Sequence, residues 1–142
     1  MNKYLSIILI ACLVSLGAYI VYERYYAEDS SLVIAPADYD FGNITSGQIM
    51  KKDFVITNWR NHSVTLLSNY KKNNSISNYF ISPDSSDMLS NITIDPKANT
   101  ILRVEFDTTN LSLGNISKDV NVEIKGWPSR QVKINISGNI IK

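Results

Sequence analysis

The chain changes character once, and that change limits what it can fold into. From Tyr4 to Tyr22, nineteen residues pass without a charge, while beyond Ser30 apolar residues alternate with polar ones instead of running together. As a helix the first segment rises about 28 Å, close to the hydrocarbon thickness of a bilayer. Its middle, Leu5 to Ala18, is apolar on every side rather than amphipathic, and Tyr19, Tyr22, Tyr25 and Tyr26 gather where a membrane-interface belt would lie. Lys3 and the amino terminus precede it, and Glu23, Arg24, Glu28 and Asp29 follow with a negative balance. That asymmetry places the amino terminus inside and the remainder extracytoplasmic, on the bacterial periplasmic or cell-surface side. The first expected partner is therefore a lipid bilayer, met through Tyr4 to Tyr22.

Two other fates stand beside the uncleaved signal-anchor. A cleaved signal peptide needs small residues before its cut, and Tyr25-Tyr26-Ala27 offers a bulky tyrosine there. Leu9-Ile10-Ala11-Cys12 is similar to the lipobox of bacterial lipoproteins, in which the cysteine is acylated. The apolar run before Cys12 is short, however, and the chain stays apolar to Tyr22. The expected division is a membrane anchor with a short linker over 1–29 and one domain over 30–142, enough chain for a single core.

Composition removes several functions. Twelve Lys and Arg stand against ten Asp and Glu in 30–142, scattered apart from Lys51-Lys52 and Lys71-Lys72, so there is no nucleic-acid footprint. Cys12 is the sole cysteine, which leaves the outer domain without a disulfide framework or a thiolate metal site. His62, the single histidine, sits in the polar turn Asn61-His62-Ser63 and has no catalytic companions. Asp84-Ser85-Ser86-Asp87 lacks the ordered oxygen ladder of a calcium loop, and the glycines fall singly at turns rather than in a phosphate loop. No catalytic, metal or cofactor site is expected. Asn-x-Ser/Thr sequons recur at Asn43, Asn61, Asn73, Asn91, Asn110, Asn115 and Asn135. They read either as glycosylation sites on an exported face or as the habit of an Asn-rich composition.

The outer domain reads as strands. Leu102, Val104 and Phe106, then Val120, Val122 and Ile124, then Val132, Ile134 and Ile136 each alternate with polar residues, so each strand offers one apolar face. Leu32 to Ala35 opens the domain and stops at Pro36, Tyr39 to Gly42 leads to a turn at Thr45-Ser46-Gly47, and the chain re-enters at Lys52 to Trp59. Val64 to Leu67, Tyr79 to Ile81 and Ile92 to Ile94 supply shorter strands, about seven or eight in all, as in an antiparallel two-sheet sandwich. Ser68 to Asn78, Ser82 to Ser90 and Thr108 to Ser117 are expected as loops, and Gly126 to Ser129 as a turn. Trp59 and Trp127 are candidate interface anchors, with at least one expected partly in the core.

Tyr39-Asp40-Phe41-Gly42, Gly47, Phe54-Val55-Ile56-Thr57-Asn58 and Val64-Thr65-Leu66 follow a recognisable order. Val104-Glu105-Phe106-Asp107, Gly114, and Val132 through Gly138 continue it. The chain from Leu32 to Lys142 resembles the ASH-like immunoglobulin-type domains related to Hydin and major sperm protein modules, and among them the bacterial domain of unknown function 1573. Many bacterial members carry a Cys-Gly-Cys segment after the third strand; here Leu67-Ser68-Asn69-Tyr70-Lys71-Lys72 stands instead, so no redox or metal role transfers. The resemblance implies an immunoglobulin-like β-sandwich and a noncatalytic binding or scaffolding role with a protein partner. It marks Asp40, Phe41, Gly42, Gly47, Phe54, Asn58, Phe106, Gly114 and Gly138 as structural motif positions. On physical grounds Phe41 is expected buried, Gly42 at a positive φ or close approach, and Asn58 capping the turn at Trp59-Arg60-Asn61. A structural accessory subunit of an envelope complex is the alternative function.

Overall fold

The computed structural model describes residues 3–22, 31–69, 75–82, 87–126 and 130–142. Tyr25 and Tyr26, Lys71-Lys72, Asp84 to Ser86, and Trp127 to Ser129 lie outside the described residues. Contacts divide the chain into two compact units, Met1–Leu32 and Val33–Lys142.

The first unit holds one helix, α1 (Lys3–Tyr22). Its apolar side chains are exposed around the whole circumference, Leu5, Ile8, Leu13 and Ile20 alike. A helix this long and apolar is sufficient to cross a membrane, and an N-terminal signal sequence shares the same properties. Cys12 is exposed on it, its carbonyl accepting from Ser15 Oγ at 3.0 Å.

The second unit is a sandwich of ten strands: β1 (Leu32–Ala35), β2 (Asp38–Thr45), β3 (Ile49–Asn58), β4 (Val64–Ser68), β5 (Ile76–Ile81), β6 (Met88–Leu89), β7 (Asn91–Ile94), β8 (Asn99–Asp107), β9 (Gly114–Ile124) and β10 (Arg130–Ile141). One sheet has the order β1-β3-β8-β5-β6 and the other β2-β10-β9-β4-β7. Alternation decides which side chains lie between them. Phe54 and Ile56 of β3, Phe80 of β5, and Leu102, Val104 and Phe106 of β8 meet Ile44, Leu66, Val122, Ile134, Ile136 and Ile140 of the opposing sheet, all almost fully buried.

Three expectations change. Among the described residues the count is ten rather than seven or eight, and β10 pairs with β2 in parallel, so the second sheet is mixed rather than purely antiparallel. Ile76 to Asn78, expected as loop, is the start of β5, because Phe106, Glu105 and Val104 of β8 supply its ladder partners. Met88-Leu89 likewise forms β6 against Ile81 and Phe80, and Gly114 to Ser117 opens β9 along β10. These segments are short, and hydrogen bonding to a neighbouring strand, not their own periodicity, makes them strands.

Candidate functional site

Most of the motif positions converge on one end of the sandwich. In β2, Asp40 Oδ1 accepts the Gly42 N–H at 2.8 Å, and Gly42 takes φ +69°. The β2–β10 register slips between Ser137 and Asn139, so a bulge forms there. Gly138 lies against that bulge: a Cβ on it would stand 3.1 Å from Ile44 Cδ1 and 3.3 Å from the Gly42 carbonyl oxygen. Phe41 is half-buried rather than enclosed, since it closes the sandwich rim; its ring stacks on Phe106 at 5.8 Å and meets Tyr39 edge-on at 4.9 Å. Tyr39 also contacts Phe54 edge-on and carries Lys52 Nζ 4.3 Å above its ring. Gly47 turns β2 into β3, and Gly114 begins β9 opposite Ile140 of β10.

Asn58 is fully buried and does more than cap a turn. Its Oδ1 accepts the Arg60 N–H at 3.0 Å, as expected, while Nδ2 donates to the carbonyls of His62 (2.9 Å), Ile94 (3.1 Å) and Asp95 (3.1 Å). The β3–β4 connection is thereby tied to the end of β7. Thr108, which sequence reasoning missed, plays the matching part at the other end. Fully buried, its Oγ1 accepts the Gln48 N–H at 3.0 Å and lies 2.9 Å from the Gln48 carbonyl and 3.1 Å from that of Thr45. The one available signal was its place directly after the alternating run of β8.

The outer face of the first sheet carries registered rows. Lys51 lies opposite Glu105, and Asp53 opposite Arg103. The Arg103 guanidinium donates to both Asp53 oxygens at 2.7 and 2.8 Å, Lys51 Nζ is 2.6 Å from Glu105, and Tyr79 Oη donates to Glu105 at 2.8 Å. The hydrogen bond from Arg103 holds the Asp53 carboxyl below its ordinary value. Burial pushes Glu105 upward, but hydrogen bonds from Lys51 and Tyr79 outweigh it and leave the group lowered. Beyond these rows comes an apolar one: Val55 opposite Ile101, Ile101 opposite Ile81, and Ile81 opposite Met88, four strands wide. Val55 is 43% exposed, Ile101 40% and Met88 62%.

A depressed carboxyl stabilises the fold fully above its unfolded value and loses that contribution as pH falls through its folded value. Asp53→Asn is therefore expected to be less stable than wild type at neutral pH, by about 0.5 kcal/mol after solvent screening. The gap should begin to narrow as pH falls below about 4 and close only below the depressed folded value, where the wild-type carboxyl is protonated in the native state as well. Thermal unfolding of both chains across that range checks the sign.

The second sheet turns short polar side chains outward. Asp40, Ser137 and Ser117 share one level, and Asn43, Asn139 and Asn115 the next. Asn139 Nδ2 donates to Asn43 Oδ1 at 3.0 Å. A shallow cleft of about 480 Å³ opens among these residues, floored by Gly42 and Gly138. The triplets Asn-Ile-Ser/Thr beginning at Asn43, Asn91, Asn115 and Asn135 all fall in strands of this sheet, where the isoleucine turns inward and its neighbours outward.

His62 is exposed in its turn, and among the described residues no group of three His, Cys, Asp or Glu could hold a metal. Trp59 is 54% exposed and has no place in the core.

The fold is that of the immunoglobulin-like sandwiches. Similar solved structures include the ASH/PapD-like domain 7 of human CEP192 (12% identity, TM-score 0.53, covering 79% of this chain and 86% of that one). SSP-19, an MSP-domain protein of Caenorhabditis elegans, matches at 11% identity with TM-score 0.52 over 76% of this chain and 99% of its own. The YadV chaperone matches at 14% identity with TM-score 0.52 over 79% of this chain, which spans 53% of that chaperone's length. At these identities the likeness is one of fold. A scan against protein-family models finds no match, and neither does a search of curated protein sequences.

Proposed function

We propose that the chain is a membrane-anchored, extracytoplasmic interaction module of the domain of unknown function 1573 family, which holds a protein partner at the envelope surface and catalyses nothing. Residues 1–29 serve as uncleaved anchor and linker, and 30–142 as the binding domain. The ASH, MSP and chaperone-like neighbours support an interaction role for this kind of sandwich, and Lys3 at the start of α1 supports an inside amino terminus.

The observation that carries the reading is the apolar row Val55–Ile101–Ile81–Met88 beside the ion-pair rows of the first sheet. A face of that kind suits a partner better than the sheet edges do. β1 and β7 have four residues each and β6 has two. β2, the one long edge, is broken by the Gly42 bulge. Bulged and short edges resist strand addition, so the partner is met by a face.

A photocrosslinking residue placed at Ile101 in the native membrane is expected to yield one discrete protein adduct. The same probe at Thr93, on the opposite sheet, should not, and Val55→Glu should abolish the Ile101 adduct by burying a charge in the contact. An adduct from Thr93 alone, or one indifferent to Val55→Glu, would overturn the assignment. Loss of the adduct when α1 is exchanged for an unrelated spanning helix would make the chain a structural subunit instead.

A further inference from the structure

The outer face of the second sheet holds more hydrogen-bonding capacity than its fold consumes. Asn115 and Ser137 line the cleft at β2, β10 and β9, and their side chains have no partner among the described residues. The Asn139–Asn43 hydrogen bond orients both amides while leaving Asn139 Oδ1 as an acceptor and Asn43 Nδ2 as a donor. Asp40 spends one carboxylate oxygen on the Gly42 N–H and keeps the other. The geometry points to a binding site in this cleft for a neutral saccharide, a pyranose presenting adjacent hydroxyls.

The chemistry of the lining selects that class. A volume of about 480 Å³ suits one or two sugar rings and lies within the range of small-molecule sites, roughly 300–1,000 Å³. Among the described residues no Lys, Arg or His lines the cleft, so none of them compensates a phosphate or carboxylate there, and Asp40 repels both. Among the described residues no aromatic ring lines it either, so the stacking platform a nucleobase needs is not among them. What is left is a set of amide, hydroxyl and carboxylate groups whose side-by-side donors and acceptors match vicinal hydroxyls, each of which donates and accepts. Gly42 and Gly138 leave the floor without side chains, so a ring can approach the strand backbone there.

The site is preorganised because its residues stand on paired strands at a fixed bulge, so little ordering is required on binding. It is also open to water, where each new hydrogen bond replaces one to solvent and gains little. The expected affinity is accordingly weak, with Kd about 1 mM.

The test uses the full chain, isotope-labelled in phosphocholine micelles that carry no sugar headgroup. Side-chain amide resonances of Asn43, Asn115 and Asn139 are followed while cellotetraose, chitotetraose and mannotetraose are each added to about 20 mM, well above the expected Kd. At least one should produce saturable shifts confined to those amides, and inorganic phosphate none. Asn115→Ala with Asn139→Ala should weaken binding about tenfold or more, equivalent to about 1.4 kcal/mol, while the rest of the spectrum stays dispersed and Asn99→Ala on the other sheet changes nothing. The proposal is overturned if none of the three sugars gives a saturable shift, if the double variant binds unchanged, or if phosphate alone moves the resonances.

Discussion

Phe106→Ala is expected to lower the unfolding free energy by about 4 kcal/mol, the range for emptying a fully packed phenylalanine site. Phe106 is 1% exposed, projects from the central strand β8 and supports the half-buried Phe41 ring across the sandwich. Its removal strips contacts from both sheets at once, and the backbone on either side, held by β3 and β5, has little freedom to collapse into the space. Phe41→Ala should cost less, about 2 kcal/mol, because that ring is already half in solvent. The double variant should fall short of the sum by about 1 kcal/mol, the coupling of a stacked aromatic pair. Denaturant unfolding of the four chains measures all three values; a Phe106→Ala loss near that of an exposed substitution would refute the packing argument.

Asn58→Ala is expected to cost about 3 kcal/mol for a different reason. The volume removed is small, but the carbonyls of His62, Ile94 and Asp95 lose a donor and the Arg60 N–H loses its acceptor, all near a residue with no solvent exposure. Unsatisfied buried polar groups cost far more than the bond that satisfied them was worth. Asn58→Asp restores the acceptor and not the donors, so it should fail to rescue, and amide exchange should rise at the ends of β3 and β7 before it rises at β8. A substitution tolerated within about 0.5 kcal/mol, as at an ordinary surface position, would show that the network is not what closes this end.

How much of this was legible from residues alone differs by element. β8, β9 and β10 were readable because Leu102, Val104, Phe106, Val120, Val122, Ile134 and Ile136 follow a period of two over stretches long enough to exclude a helix. β5 was misjudged at its start because Ser77 and Asn78 are polar yet buried, and a buried polar residue has no signature except its partners. Asn58 was marked as a turn cap, and its hydrogen bonds with Arg60 and His62 are local; the other two reach Ile94 and Asp95 across long sequence separations. The approach of Gly138 to Gly42 was equally out of reach, although both glycines stood in recognisable positions.

By itself, then, the sequence determined an apolar segment long enough to cross a membrane, a following domain of two-faced strands, and the identity of most core residues. These properties follow from hydropathy and from side chains alternating along a strand, both of which are local. The tertiary structure alone decided which outward residues share a row. Val55, Ile101, Ile81 and Met88 lie in four separate strands, and Asn43, Asn115 and Asn139 in three. Alternation tells each strand which face to bury but leaves its neighbour and its register open. Those are settled only when the whole core packs and the buried amides and hydroxyls at its ends find their partners.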